Sequence, residues 1–210
     1  MSPSRKPVPL KPRKTARQMR ATKTVEAIVE GAARILETVG LEGYTTNAVA
    51  ARAGVSIGSL YQYFPNKDAI TLALIERESA LLLKEVEAAT AEPDWKAALR
   101  LMVAAAVRHQ LNRPALARLL DLEEARLPVR DATGSGSGAI FTAVGAVIAR
   151  GMPAPALPGI SSGVEQFTSD VIGITRGMTD MAGHRHEVDR LDLTLRVEHA
   201  VFGYLSRAVK

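Results

Sequence analysis

The sequence predicts an all-α protein, and three observations support this class. Apolar residues recur every three or four positions in successive segments, which is the spacing of amphipathic helices. Glycine, proline or helix-capping residues separate these segments. No segment alternates apolar and polar residues as a half-buried strand does, and no internal repeat is visible. The 210 residues are enough for one or two compact domains with a hydrophobic core.

The first two helices are predicted from their apolar spacing and their ends. Residues 22–39 carry apolar side chains at helical spacing, Thr22 or Thr24 can cap the start, and Gly40 ends the helix. Residues 46–53 are predicted to form a second, alanine-rich helix. We therefore expect two helices joined by a short link.

The third helix is short and well delimited. Gly54 stands where a left-handed residue commonly closes a helix. Ser56 is a natural N-cap, and Val55 and Leu60 are spaced to form a hydrophobic staple. Pro65 then ends the helix. A helix, a tight glycine turn and a second helix form the geometry that places side chains in the major groove of DNA.

Six further helices are predicted downstream, and Asn66 can cap the first of them. Repeated glycine in residues 134–138 leaves open whether the seventh helix starts after them or earlier, near Val129, because each glycine weakens a helix by about 1 kcal/mol. Residues 152–163 are predicted to form a loop rich in Pro, Gly and Ser. The predicted ranges are 67–91, 95–111, 114–122, 139–150, 164–181 and 188–209.

The net charge of +5 is concentrated at the N-terminus. Residues 1–23 hold eight basic side chains and no acidic one, whereas residues 24–210 hold more acidic than basic side chains. A basic arm beside a folded DNA reader can lie along phosphates or enter a minor groove. The four prolines in residues 1–12 also favour a disordered, solubilising tail, and both interpretations can hold. We assign residues 1–20 to a basic flexible arm.

The third helix has an anchoring side and an outward side. Ile57, Leu60 and Phe64 follow the spacing i, i+3, i+7 and should hold it against the first two helices. Outward serine and glutamine can hydrogen-bond base edges, tyrosine hydroxyls suit phosphates, and a glycine lets the backbone approach the duplex. Threonine before the second helix and lysine after the third can add phosphate contacts. The candidate DNA-binding residues are Thr45, Thr46, Ser56, Gly58, Ser59, Tyr61, Gln62, Tyr63 and Lys67.

Simpler roles remain open for some of these residues. Tyr61 and Tyr63 could cover the small domain by packing. Gln62 could be a solvated surface residue, and Ser56 caps the helix whether or not it also contacts a phosphate.

The residues from Ala50 to Lys67 follow the pattern A-x-x-A-G-V-S-x-G-x-L-Y-x-Y-F-x-x-K. This run resembles the DNA-binding signature of the TetR family of bacterial transcriptional regulators, and the preceding helix and the segment Gly40–Tyr44 match as well. Two departures are mild: Val49 stands where Ile is usual, and Tyr63 where His is a common alternative. The resemblance implies an all-α homodimer in which three N-terminal helices bind DNA and the remaining helices bind a ligand and dimerise.

The resemblance divides the chain into a helix-turn-helix DNA-binding domain, residues 21–67, and an effector-binding and dimerisation domain, residues 68–210. It implies an effector pocket among helices five to eight, and helical spacing turns several side chains of these helices inward. The alternative for each of them is an ordinary core position. A largely apolar pocket favours a small, largely apolar effector. The candidate ligand-binding residues are Met102, Ala106, His109, Phe141, Phe167, Val171, Ile174 and Met178.

The last two predicted helices carry more apolar surface than one core can use. This surplus favours a homodimer through a four-helix interface. The apolar residues concerned are Val171, Ile172, Ile174, Met178, Leu191, Leu193, Leu195, Val201 and Leu205. Two recognition helices about 34 Å apart would match a palindromic operator in double-stranded DNA. The expected function is a transcriptional repressor whose effector moves the fourth helix. A transcriptional activator of the same family and a non-specific architectural DNA-binding protein are the alternatives.

Other function classes find no support in the sequence. The chain has no cysteine, which fits a cytoplasmic protein and excludes thiol chemistry. No motif of nucleophilic, nucleotide-dependent or metalloprotease catalysis is present, so neither enzymatic activity nor a cofactor is expected. His184, His186 and Glu187 lack a fourth ligand, so no metal site is expected. Asp180, Asp189 and Asp192 should solvate this link or cap the last helix. No apolar run approaches the roughly 20 residues that span a bilayer.

Overall fold

A computed structural model describes residues 13–127, 136–151 and 163–208, and this part of the chain contains nine α-helices and no strand. The all-α prediction is therefore confirmed. None of the described helices is long and apolar enough to cross a membrane. The helices are α1 (Arg13–Gly43), α2 (Thr46–Ala53), α3 (Ile57–Tyr63), α4 (Lys67–Ala89), α5 (Trp95–Asn112), α6 (Pro114–Arg126), α7 (Gly136–Gly151), α8 (Val164–His184) and α9 (Arg190–Ala208).

Caps define the ends of α2 and α3, and two of them, Gly54 and Ser56, are those that the sequence predicts. The Thr45 hydroxyl accepts a hydrogen bond from the backbone N–H of Ala48 at 3.1 Å, and the Ser56 hydroxyl accepts from the N–H of Ser59 at 3.1 Å. Gly54 closes α2 in the left-handed conformation, with φ 69° and ψ 29°, which glycine adopts without a steric penalty. Local chemistry therefore defines the turn between the two helices.

The first helix is longer than predicted. It begins at Arg13 and not near Thr22, because the residues before Thr22 are good helix formers uninterrupted by Pro or Gly. Residues 13–20 of the predicted flexible arm are therefore helical, and residues 1–12 lie outside the described part. Gly40 breaks the helical geometry as predicted, with φ 75° and ψ −166°, and a last turn follows this kink.

Several later helices differ from their predicted bounds, and α8 continues beyond residue 181 to His184. α6 continues beyond residue 122 to Arg126, whose guanidinium is paired with Glu123 one turn earlier at 2.6 Å. α7 begins at Gly136, so the last three residues of the glycine-serine stretch are helical. The alternative start near Val129 and residues 152–162 of the predicted loop lie outside the described residues.

Two hydrophobic clusters organise the fold. The first joins α1, α2 and α3 to the start of α4 and to α6. The second joins the end of α4 to α5, α7, α8 and α9. α4 is shared, because Leu74 is buried in the first cluster and Val86 in the second. α6 contributes Leu116 and Leu120 to the first cluster, which thus extends beyond the predicted domain end at residue 67.

Candidate nucleic-acid interface and effector cavity

α3 is anchored by two of the three predicted side chains. Leu60 and Phe64 are buried in the first cluster. Ile57 is 39% exposed, so its predicted anchoring role is wrong. Ile57 is the first residue of a seven-residue helix, and a side chain at a helix end has packing neighbours on one side only. Val55 supplies additional partly buried packing before the helix.

The outer side of α3 is open. Tyr61, Gln62 and Tyr63 are exposed, and the tyrosines are not buried over the domain. Gly58 is also exposed, and a Cβ built on it would have only the Ser56 hydroxyl nearby, at 4.0 Å. This surface can therefore receive a large partner without rearrangement of its own backbone.

Hydroxyl groups connect the two short helices and the turn. The Thr46 and Tyr61 hydroxyls lie 3.2 Å apart, which ties the start of α2 to α3. The Ser56 and Ser59 hydroxyls lie 2.8 Å apart, and Ser59 is half-buried. Ser59 is therefore less free to reach a base edge than the exposed Gln62 beside it.

Lys67 begins α4 beside this surface. Its ammonium lies 5.4 Å from the centroid of the Tyr44 ring, a cation–π contact that orients the lysine. Burial raises the pKa of the Tyr44 hydroxyl to about 12, and this hydroxyl lies 3.1 Å from the hydroxyl of Thr71. Residues 45–67 contain no acidic side chain. The nearest acid in sequence, Asp68, is bound by Arg126 at 2.5 Å, so this surface has no uncompensated negative charge from that residue.

A cavity of about 240 Å³ lies between α4, α5, α6, α7 and α8. Met102, Ala106, His109 and Val171 line it, as the spacing predicted for the effector pocket. Burial lowers the pKa of His109, so its imidazole is neutral at neutral pH. The fold brings these four residues, from α5 and α8, to the lining of one cavity.

The other four predicted ligand residues do not line this cavity. Phe167, Ile174 and Met178 pack against the second cluster, and Phe141 is half-buried outside the cavity wall. The cavity side of α8 is instead formed by Ile172, Thr175, Arg176, Thr179 and Asp180. Phe167, Ile174 and Met178 occupy a stripe of α8 next to the cavity-lining one, and apolar spacing selected the stripe that serves the core.

The polar part of the cavity wall could not be predicted from apolar spacing, because that spacing identifies only apolar inward positions. Asp180 was predicted to solvate the link after α8, but it lines the cavity. Thr175, Arg176 and Thr179 are spaced to lie on one side of α8, and this polar spacing could have indicated the cavity side of the helix. The polar wall residues on the other helices are Glu78, Ser79, Gln110, Arg113, Asp121 and Glu124.

An ion-pair network joins this cavity to α1. Arg113, between α5 and α6, donates to both carboxylate oxygens of Glu37 at 2.5 and 2.8 Å. Its Nη1 also lies 3.5 Å from Glu30 and 3.7 Å from Glu78. The Arg113 hydrogen bonds hold the pKa of the Glu37 carboxyl below its usual range. The network therefore places a cavity-wall side chain in direct contact with the helix that supports α2 and α3.

The outer surface of the last two helices is apolar in part. Met181, Val188, Leu191 and Leu195 are large exposed hydrophobic residues. Leu193, Val201 and Leu205, by contrast, are buried within this chain, and Val171 is buried as well. The prediction that these buried residues belong to surplus apolar surface is wrong, because the second cluster uses them.

The link between α8 and α9 is organised by hydrogen bonds. Asp189 accepts from the backbone N–H groups of Leu191 and Asp192, both at 3.0 Å, which confirms its predicted capping of the last helix. Glu187 is bound by Arg185 and Arg196. In the described part of the chain, no group of three or more His, Asp or Glu side chains could hold a metal ion.

Known proteins match this chain most clearly at its N-terminal end. Residues 28–74 match the family of bacterial regulatory proteins designated tetR. The HTH-type transcriptional repressor DrrR1 of Streptomyces coeruleorubidus is 33% identical over 90 residues, covering 43% of this chain and 33% of that protein. The tetracycline repressor protein class C of Escherichia coli is 45% identical over 51 residues, covering 24% of this chain and 23% of that protein. The matched segments thus span less than half the length of these curated relatives.

Solved structures share the fold over most of the chain. The regulator FadR from Bacillus subtilis in complex with stearoyl-CoA has a TM-score of 0.71 and 17% identity, covering 84% of this chain and 96% of that one. A TetR-family regulator from Streptomyces coelicolor has a TM-score of 0.66 and 19% identity, covering 89% and 99%. At these identities the likeness shows the fold alone.

Proposed function

We propose that this chain, whose residues 28–74 match the tetR family of bacterial regulatory proteins, is a ligand-responsive, dimeric transcriptional regulator of that family. It acts as a repressor that a small, largely apolar effector releases from a palindromic operator. One observation carries the proposal: α3 is capped at both ends, anchored by buried side chains and open on its outer side. A helix held in this way can enter the major groove.

Phosphate contacts position α3 on the duplex. The exposed hydroxyls of Tyr61 and Tyr63, the Lys67 ammonium and the start of α2 at Thr45 and Thr46 serve this purpose. Hydrogen bonds to phosphates fix orientation without reading sequence. The absence of acidic residues between positions 45 and 67 supports this role, because a carboxylate there would repel the phosphates.

Base reading falls mainly to Gln62. Its amide can form two hydrogen bonds with adenine in the major groove, and its side chain is exposed on α3. Ser59 is a second candidate, and Gly58 allows close approach of the backbone. Ser56 primarily caps α3 and can add a phosphate contact.

Effector binding is coupled to DNA binding through α4 and α6. Both helices contribute to the first cluster and to the cavity wall. An effector that fills the cavity shifts these helices and changes the separation of the two recognition helices in the dimer. The stearoyl-CoA complex of the structurally similar FadR supports ligand binding within this type of fold.

Footprinting on the DNA that flanks the gene tests the proposal. The dimeric protein, at about 0.1 M salt, is expected to protect a palindrome whose half-sites are about 34 Å apart or a multiple of that distance. Protection independent of DNA sequence would contradict the proposal and support the architectural alternative. Transcription that rises with the protein would support an activator.

Two substitutions separate positioning from reading. Tyr63→Phe is expected to weaken operator and random DNA alike, by roughly three- to ten-fold, because one phosphate hydrogen bond is lost. Gln62→Ala is expected to weaken the operator selectively and relax base preference at one position. Tyr204→Phe, on α9, is the matched control: once sedimentation shows that it remains a dimer, its DNA affinity should be unchanged. A uniform loss in Gln62→Ala would contradict base reading by this residue.

A further inference from the structure

The cavity wall holds more carboxylates than cations. Glu78, Asp121, Glu124 and Asp180 face it, against the guanidinium groups of Arg113 and Arg176. The excess of negative charge lies on one side of the cavity, the side formed by α6 and α8.

The side that faces α1 is balanced. Glu78 is paired with Arg77 at 2.6 Å, and Arg113 is held by Glu37. Glu30 accepts from Arg77 at 2.9 Å and from Arg34 at 2.7 Å. These charges satisfy one another, so none of them needs a ligand.

The side formed by α6 and α8 has a negative excess. Arg176 is the cation that contacts all three carboxylates there, at 3.2 Å from Asp121, 2.7 Å from Glu124 and 3.7 Å from Asp180. One guanidinium cannot neutralise three carboxylates. Burial raises the pKa of Asp121, and burial together with the neighbouring Asp121 raises the pKa of Asp180 to about 6.

Other titratable groups near this cluster do not remove the excess. Burial keeps His109, on α5, neutral at neutral pH. His184, which favours the charged form of Asp180, is exposed at the end of α8 and does not line the cavity. At neutral pH, two negative charges on this wall remain without a matching cation.

An independent feature of the same wall also indicates a ligand. Gln110 is only 7% exposed and lines the cavity. It lies near Asp121, yet its Nε2 has no acceptor at hydrogen-bond geometry. Buried amide N–H groups are nearly always paired in native proteins. The Nε2 atom is inaccessible to solvent, so a small rotation of the amide toward the cavity would let a ligand acceptor complete its pairing.

We infer that the cavity takes an amphipathic amine, a molecule with an apolar body, a protonated nitrogen and a hydrogen-bond acceptor near it. The ammonium lies against Asp121, Glu124 and Asp180, and the acceptor faces Gln110. The apolar body packs among side chains such as Leu82, Leu99 and Met102. The inference rests on the proposed function only in taking this cavity as the effector site.

Calorimetry with three probes of equal chain length tests the inference on the full chain at about pH 7.5. Octylamine is protonated at this pH, as lysine is, octanol is neutral and octanoate is an anion. Octylamine is expected to bind about ten-fold or more tightly than octanol, and octanoate more weakly than either, because two unpaired carboxylates face the site. Equal affinities, stronger binding of octanoate, or no binding of octylamine would overturn the inference.

Two variants locate the ammonium. Asp180→Asn and Asp121→Asn are each expected to reduce octylamine affinity several-fold and to leave octanol affinity unchanged. Glu165→Gln removes an exposed carboxylate from the first turn of the same helix α8 and is the matched control. Thermal melting of each variant checks folding. If both cavity variants keep the wild-type preference for octylamine, the inference is wrong.

Operator binding, measured by fluorescence anisotropy on the same protein, separates this inference from the proposed function. A protein that binds the palindrome but does not prefer octylamine overturns the amine inference alone. A protein that prefers octylamine but binds no palindrome supports the amine site and contradicts the proposed function.

Discussion

Ser56 shows how one residue can serve both the fold and the interface. Its hydroxyl accepts from the N–H of Ser59 at the start of α3, satisfying one of the N–H groups that a helix leaves unpaired. The same hydroxyl lies on the exposed side of the turn. Its structural role can therefore be tested separately from its proposed contact with a phosphate.

Replacement of Ser56 is predicted to act on stability through the cap. Ser56→Ala should lower the free energy of unfolding by about 1 kcal/mol, whereas Ser56→Asn keeps a side-chain acceptor and should cost only a few tenths of that amount. Urea unfolding followed by circular dichroism measures both. Equal destabilisation by the two replacements would show that the cap is not the cause.

Asp180 is predicted to make the stability of the folded chain depend on pH. Its pKa is about 6 in the fold against an ordinary 3.8, chiefly because of burial. Between about pH 4 and pH 6 the folded state holds this proton and the unfolded chain does not, so the contribution of Asp180 to stability falls as pH rises. Above about pH 6 the carboxylate is charged in the folded state, and burial of this charge lowers the free energy of unfolding by its full amount.

Asp180→Asn removes this cost. At about pH 7.5 the variant should be more stable than the wild type by about 1 kcal/mol, allowing for solvent screening of a partly exposed group, and near pH 4 the two should be alike. Urea unfolding at both pH values measures the difference. A gain of equal size at both would exclude titration of Asp180 as its origin.

At the scale of elements, α6 is tied to its neighbours at both ends. Its start is preceded by Arg113, which binds Glu37 on α1, and its end carries Arg126, which binds Asp68 at the start of α4. The first pair is mostly buried, with side chains 22% and 19% exposed. The second is open to solvent, at 47% and 48%. The ion pair at the start of α6 should therefore contribute more to the free energy of unfolding than the pair at its end.

We predict that Arg113→Met costs roughly 2 kcal/mol of unfolding free energy, because a partly desolvated Glu37 loses two charge-assisted hydrogen bonds. Arg126→Met, at the opposite and solvent-exposed end of α6, should cost less than Arg113→Met. Since the pKa of Glu37 is lowered in the fold, the Arg113 contribution should be present above about pH 4.5 and disappear below it. A larger cost at Arg126 in urea unfolding would contradict this ranking.

At the scale of the whole molecule, the outer surface of α8 and α9 is the proposed dimer interface. Met181, Val188, Leu191 and Leu195 expose apolar side chains there. A pair of long helices with such a surface commonly packs against its own copy around a two-fold axis. The same symmetry would place two α3 helices on a palindrome.

Leu195→Glu is predicted to produce a monomer. Leu195 is 47% exposed, and a carboxylate would be buried unpaired in the interface. Sedimentation should show the change, and operator affinity should fall by about ten-fold or more because the two recognition helices are no longer linked. Leu101→Glu, at a site 49% exposed on α5, is the control. A dimeric Leu195→Glu protein would place the interface elsewhere.

The helix boundaries that the sequence predicted well are those that local chemistry controls. Gly54 and Ser56 act on backbone groups within three or four residues, so their roles follow from the residues themselves. The burial of Ile57 was predicted wrongly, because spacing identifies a side of a helix and not how many neighbours that side has. The helical residues before Thr22 were missed because Thr22 and Thr24 are themselves good capping residues.

The sequence by itself determined the helical class, the capped three-helix unit and the family of that unit, because these depend on short-range spacing and on a run of residues around α3. Only the tertiary structure decided which side of α8 faces the cavity, that Asp180, Arg176 and Gln110 meet there, and that α6 packs with the DNA-binding helices. The physical reason is that these contacts join residues far apart in the chain. Helical periodicity specifies an apolar stripe, but packing of the other helices decides which stripe becomes core and which becomes a site.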